Sequence, residues 1–214
     1  MSQLTPRQAE RKERILKTVR DQLSRFGYDG LSMRDVADAA GVSPTTLYNL
    51  FQNKDGLVLA AQEDLLDRVA QSVRSQHKKG LQRLIVAAEA IADQVVKTPR
   101  YADAMTRLLF NGDPGDPICQ ILLGNVIQQN RNILREMLEL GEVHKDVDVE
   151  LLARCLAGDS WSTIMLWMKG FIALQDFKHE YVRRLLMTLM PVMTPQAARR
   201  CRSRVQPVSL RAIV

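Results

Sequence analysis

From Ser43 to Asn49 the chain reads SPTTLYN, a run in which hydroxyls and one carboxamide fall at helical spacing with no charge among them. Leu47, Leu50 and Phe51 stand at i, i+3 and i+4 and predict a buried side, leaving Thr45, Thr46, Tyr48 and Asn49 on the remaining faces. These groups suit base edges in a DNA groove: a carboxamide can pair with adenine through two bonds, and a threonine methyl can meet the methyl of thymine. Ser43 adds a hydroxyl, and Arg34 and Lys54 add positive charge, for phosphate oxygens on either side. Arg34, Ser43, Thr45, Thr46, Tyr48, Asn49 and Lys54 are therefore the candidate DNA-binding residues.

Short helices must hold such groups in place, and the sequence marks their ends. Ser32 followed by Asp35 resembles half of a capping box, with the acid in the positive first turn. Val36, Ala37 and Ala40 form a thin apolar stripe, and Gly41 can take the left-handed conformation that stops a helix. Ser43-Pro44 starts the next one, a hydroxyl N-cap with proline at the first helical position. Asn53 is placed to cap a third. Two helices across a tight glycine-containing turn make a helix-turn-helix, whose second helix reads the major groove. Upstream, Ile15, Val19, Leu23 and Phe26 predict the packing face of a helix over 7–26. Gly27 and Gly30 bracket a Tyr28-Asp29 turn, while Arg7, Arg11, Lys12 and Arg14 are placed either on a solvated face or near phosphate.

The run Gly41–Phe51 (GVSPTTLYNLF), the following Lys54-Asp55-Gly56-Leu57 and the preceding Phe26-Gly27-Tyr28-Asp29-Gly30-Leu31-Ser32 resemble the DNA-binding domain of the TetR family of bacterial transcriptional regulators. The likeness covers roughly residues 7–57. It implies a homodimer that binds a double-stranded DNA operator, with a larger C-terminal domain that binds a small molecule.

Composition agrees with a polyanion partner. The net charge of +6 is uneven: residues 1–54 hold nine Lys/Arg against six Asp/Glu, 55–196 hold 16 against 18, and 197–214 hold five against none. Basic ends favour phosphate, since neutralising it releases counterions. Cys119, Cys155 and Cys201 are three in number and widely spaced, which argues against a disulfide framework and for a reducing, cytoplasmic setting. The most apolar stretch, 161–174, is interrupted by Lys169 and shorter than the roughly 20 residues a membrane span needs. His77, His144 and His179 are scattered, and no paired-histidine, CxxC or glycine-rich phosphate motif occurs. The acid pairs Glu63-Asp64 and Asp146-Asp148 read as solvated charge. No cofactor, metal site or catalytic group is expected, and the chain is read as not an enzyme.

No alternating apolar pattern predicts a strand, so the fold class is all-α. A three-helix helix-turn-helix domain over 1–54 is followed by a larger helical domain for ligand binding and dimerisation over 55–193 and a basic, flexible tail over 194–214. The larger domain should contain a connecting helix from Asp55 to about Gln76, helices over 81–97, 100–110 and 118–140, a very apolar helix from Leu151 to about Leu174, and a last helix from Asp176 to Met190. The last two carry more apolar positions than one stripe needs, as in a four-helix bundle between symmetry mates. Met105, Leu109, Phe110, Ile121, Trp161, Met165 and Trp167 are candidates for a pocket that takes a largely hydrophobic effector.

The expected function is that of a sequence-specific transcriptional regulator, a ligand-responsive repressor acting as a homodimer on an inverted-repeat operator. The alternative is a DNA-bound module governed by a protein partner instead of a small molecule.

Overall fold

The computed structural model describes residues 5–113 and 115–205. Ten α-helices account for most of them: α1 Pro6–Phe26, α2 Met33–Ala40, α3 Pro44–Phe51, α4 Lys54–Ser75, α5 Gly80–Lys97, α6 Pro99–Asn111, α7 Pro117–Glu139, α8 Val149–Met168, α9 Leu174–Leu189 and α10 Pro195–Val205, with a single 3-10 turn at Met190–Val192. Among the described residues there is no strand, only an isolated bridge between Val143 and Met193. The all-α expectation holds. None of these helices is long and apolar enough to cross a membrane.

The chain divides into two compact units. Of the described residues, the first comprises 5–72, 97–113 and 115–122, the second 73–96 and 123–205. In the first, α1 presents Ile15, Leu16, Val19 and Leu23 to α2, which returns Met33, Val36, Ala37 and Ala40. Leu47 and Phe51 of α3, Leu57, Val58 and Ala61 of α4, and Tyr101, Ala104 and Met105 of α6 complete the same apolar cluster. Polar ties join its helices at the edges. Arg20 pairs with Asp64 at 2.9 Å, and the buried Tyr101 hydroxyl donates to Gln62 at 2.7 Å.

Local signals set several boundaries. Thr5 and Gln8 form a capping box at the start of α1, so the helix begins one residue before the predicted Arg7. Phe26, expected on the packing face, is 60% exposed, because Leu23 already occupies the last turn that meets the core. At the α3–α4 junction Gln52 has φ 66° and ψ −53°, and the Asn53 N–H donates to the Phe51 carbonyl at 2.7 Å. This is a three-residue γ-turn in a hand that side chains disfavour. Gly56 passes so close to that carbonyl that a Cβ there would lie 2.3 Å from it. The reversal between the two helices is therefore strained at one residue and tightly packed at another.

The second unit is built on α8 and α9. Leu152, Leu156 and Ile164 face Phe177, Tyr181, Leu185 and Leu189, all buried; burial pushes the Tyr181 phenol up to about 12. The apolar helix expected to reach Leu174 stops at Met168. Gly170, at φ 80°, lets the Phe171 N–H return to the Leu166 carbonyl at 2.9 Å, a left-handed stop hidden by the apolar residues beyond it. Within the segment expected as a basic tail, residues 195–205 form α10 and bury Ala197 and Cys201 at i and i+4. Residues 206–214 lie outside the described part. All three cysteines are free; Cys119 is half-buried and Cys155 exposed.

A carboxylate cluster fixes the start of α5. Glu136 accepts from the Gly80 N–H at 2.9 Å, and the buried Glu142 accepts from the Leu81 N–H at 2.6 Å. Both acids sit at the positive end of that helix dipole. Arg200 of α10 then pairs with Glu142 at 2.8 Å, so the buried charge has a counter-ion as well as a donor.

Three substitutions test these constraints by urea unfolding. Gly80 has φ 51°, and an added Cβ would lie 2.1 Å from the Glu142 carboxylate, which cannot retreat without losing its bonds. Gly80→Ala is expected to lower stability by about 1–3 kcal/mol; Gly124→Ala, in α7 with open space around it, should raise stability by about 0.5–1 kcal/mol. Gln52→Gly releases the strained turn and should gain about 1 kcal/mol after the flexibility of glycine is counted. An unchanged or lower stability for Gln52→Gly would show that the γ-turn carries no strain.

Candidate nucleic-acid interface

The helix-turn-helix is assembled from chain-end geometry. Gly41 takes the left-handed conformation, φ 64° and ψ 44°. Its N–H and that of Val42 close the last carbonyls of α2, donating to Asp38 at 3.2 Å and Ala37 at 3.0 Å. Arg14 of α1 supports the same end by donating from Nε to the Ala40 carbonyl at 2.9 Å. Part of a guanidinium considered for phosphate is thus committed to closing α2.

Two residues after that stop, Ser43 caps the start of α3. Ser43 Oγ accepts from the Thr46 N–H at 3.2 Å, and the Ser43 and Thr46 hydroxyls lie 2.9 Å apart. Pro44 occupies the first helical position, where no amide hydrogen is needed. Leu47 is fully buried and Phe51 nearly so, whereas Leu50, predicted on the same side, is 42% exposed. An eight-residue helix lying on a small core buries a narrow arc, and i, i+4 fills it.

The outer surface of α3 consists of Thr45, Tyr48 and Asn49, all exposed, with Leu50 beside them and Thr46 half-buried. It carries no charge. Arg34 is exposed on the first turn of α2, and Lys54 is half-buried at the first position of α4. Asn53 caps α4 by accepting from the Gly56 N–H at 2.8 Å. All seven candidate positions thus belong to the α2–α3–α4 segment of one compact unit. They differ in freedom: Thr45, Tyr48 and Asn49 have open side chains, while the hydroxyls of Ser43 and Thr46 already serve the cap.

The sequence places Tyr28 in a turn between Gly27 and Gly30. In the structure Lys54 Nζ stands 4.1 Å from the centre of its ring, and its hydroxyl donates to Asp55. Burial, reinforced by that bond to Asp55, raises the phenol well above its ordinary pKa, so it remains a donor. Its place between two glycines was visible, but its contacts join residues far apart in the chain.

The seven residues considered for an effector pocket do not gather in one compact unit. Met105, Leu109, Phe110 and Ile121 belong to the first, with Met105 buried in its core and Phe110 exposed. Trp161, Met165 and Trp167 belong to the second, where Trp167 meets Phe177 edge-on with centroids 6.0 Å apart. The Trp161 indole nitrogen is buried without a hydrogen-bond partner. None of the seven lines either a cleft of about 700 Å³ between the end of α1 and α6 or one of about 530 Å³ around His144, Leu151 and Val192. No group of three or more His, Cys, Asp or Glu among the described residues could hold a metal ion.

The sequence pattern described as "Bacterial regulatory proteins, tetR family" matches residues 15–61, from the core face of α1 to the second turn of α4. The chain is 27% identical over 176 residues to the HTH-type transcriptional regulatory protein RaaS of Mycobacterium tuberculosis, covering 79% of this chain and 80% of that one. It is 24% identical over 174 residues to the HTH-type transcriptional repressor KstR2 of Mycolicibacterium smegmatis, covering 78% and 84%. The solved structure of the fatty acid degradation regulator FadR from Bacillus halodurans superposes with a TM-score of 0.68 at 20% identity, covering 81% and 97%, which is a likeness of fold. With the glycine stop, the serine start and the α4 cap all inside the matched segment, residues 15–61 form a helix-turn-helix domain of the tetR family of bacterial regulatory proteins.

Proposed function

We propose that the protein is a homodimeric, sequence-specific repressor that occupies an inverted-repeat DNA operator and is released by a small, largely hydrophobic effector. The observation that carries this reading is the uncharged, solvent-open face of α3, Thr45, Tyr48 and Asn49, beside Lys54 on the adjoining helix. A surface of hydrogen-bonding groups discriminates base edges, whereas a wholly basic one would bind all sequences alike. The relatives named as transcriptional repressors support the sign of regulation.

Dimerisation is supported by the outer residues of the second unit. Leu151 of α8 and Met187 of α9 are 52% and 50% exposed, and Cys155 and Gly158 are open on the same side of α8 as Leu151. A symmetric pairing of α8 and α9 would cover them and place two reading heads on two half-sites. An effector is supported by the unpartnered Trp161 indole near Met165 on the same helix. The effector must favour the DNA-free state, since equal affinity for both states shifts nothing.

Genomic fragments selected with the purified protein at near-physiological salt should share an inverted repeat with two equally spaced half-sites. Enrichment that follows fragment length alone would refute sequence reading. On the selected repeat, Asn49→Ala should relax preference at one base position, with a loss of about 1–3 kcal/mol, while Lys54→Ala should weaken all sequences and lower the salt slope by about one. An Asn49→Ala protein with unaltered base preference would remove that residue from readout. An effector that raises the melting temperature should lower operator affinity; a hundredfold loss corresponds to about 2.7 kcal/mol of coupling.

A further inference from the structure

Lys54 is the first residue of α4, and this is an awkward place for a cation. The amides of a first turn are unsatisfied and partly positive, so an ammonium there loses about 0.3–1 kcal/mol of electrostatic stability. A lysine side chain is also long and mobile, and a phosphate contact must order it at an entropic cost approaching about 2 kcal/mol. Neutralising the charge with a carboxylate would cure the first problem and defeat any use of the residue toward phosphate. Among the described residues no ion pair to Lys54 is present; Asp55, its neighbour, accepts the Tyr28 hydroxyl.

The ring of Tyr28 offers a different solution. Lys54 Nζ lies 4.1 Å from the ring centroid, within the roughly 6 Å over which an aromatic face attracts a cation. A π face orients an ammonium without cancelling its formal charge. Tyr28 in turn is fixed from both ends of its residue. Gly27, at φ 68°, ends α1 and turns the chain, the Tyr28 carbonyl accepts from the Leu31 N–H at 3.1 Å, and the hydroxyl is tied to Asp55. The cradle thus joins the α1–α2 turn to the first turn of α4.

We infer that Tyr28 is a positioning residue for DNA binding: its ring holds the Lys54 ammonium ready for a phosphate, and Asp55 holds the ring. This inference rests on the DNA-binding reading above. The sequence Gly27-Tyr28-Asp29-Gly30 acts accordingly as part of the DNA anchor, although it lies outside α2 and α3. Tyr28→Phe keeps the aromatic face and loses only the bond to Asp55, while Tyr28→Leu loses the face itself.

The experiment measures binding of the full chain to a short duplex of mixed sequence across a range of salt concentrations, for the wild type, Tyr28→Leu, Tyr28→Phe, Lys54→Ala and the Tyr28→Leu/Lys54→Ala double variant. Circular dichroism and thermal melting confirm that each protein is folded at the binding temperature. Tyr28→Leu should weaken binding about two- to fivefold, the range of an exposed cation–π contact, and Tyr28→Phe should recover most of it. In the Lys54→Ala background Tyr28→Leu should change nothing further. Equal weakening by Tyr28→Leu in both backgrounds would reduce the ring to structural packing and overturn the inference, as would wild-type affinity for Tyr28→Leu. Failure of the wild type to bind duplex at any salt concentration would overturn the DNA-binding reading itself, a result distinct from either.

Discussion

Everything in the helix-turn-helix unit depends on one constraint: a helix must stop and another must start with only three residues between them. Gly41 makes the stop possible by adopting a backbone conformation that a side chain resists, and Ser43 makes the start possible by supplying an acceptor for an amide that has no helical partner. If either end were ragged, α3 would enter the core at a different rotation. Leu47 could then no longer be buried with Thr45, Tyr48 and Asn49 facing out. The amphipathic pattern chooses the face; the turn chemistry chooses the angle at which that face is offered.

The other end of α3 is held differently. There the chain reverses through Gln52, a non-glycine residue at positive φ, with Gly56 packed against the Phe51 carbonyl. One junction is relaxed because glycine sits where it is required, and the other is strained because it does not. Strain of this kind persists only where surrounding contacts over-determine the backbone. Phe51, Leu57 and Val58 in the common core supply such contacts.

Features set by neighbouring residues were legible in the sequence. The caps at Ser32, Ser43 and Asn53 and the glycine at position 41 act over one helical turn, and each appears where the residue types put it. Features that depend on distant packing were not. Leu50 and Phe26 are apolar at plausible spacings, yet the core has no room for them; α10 escaped notice because Ala197 and Cys201 are too thin a stripe among arginines. The cradle of Lys54 by Tyr28 spans the whole of α2 and α3. Apolar residue types likewise could not distinguish the core role of Met105 from the exposed position of Phe110.

The three free thiols fall into a graded series that divides with the architecture. Cys155 is open, Cys119 is half-buried in the first unit with its Sγ toward the Leu108 and Leu109 carbonyls, and Cys201 is buried on the inner face of α10 in the second. Burial raises the pKa of both Cys119 and Cys201, which suppresses the reactive thiolate until the surrounding structure opens. Each unit therefore carries its own built-in clock for local unfolding: the rate at which Cys119 is alkylated reports breathing of the helix-turn-helix unit, and that of Cys201 reports detachment of α10.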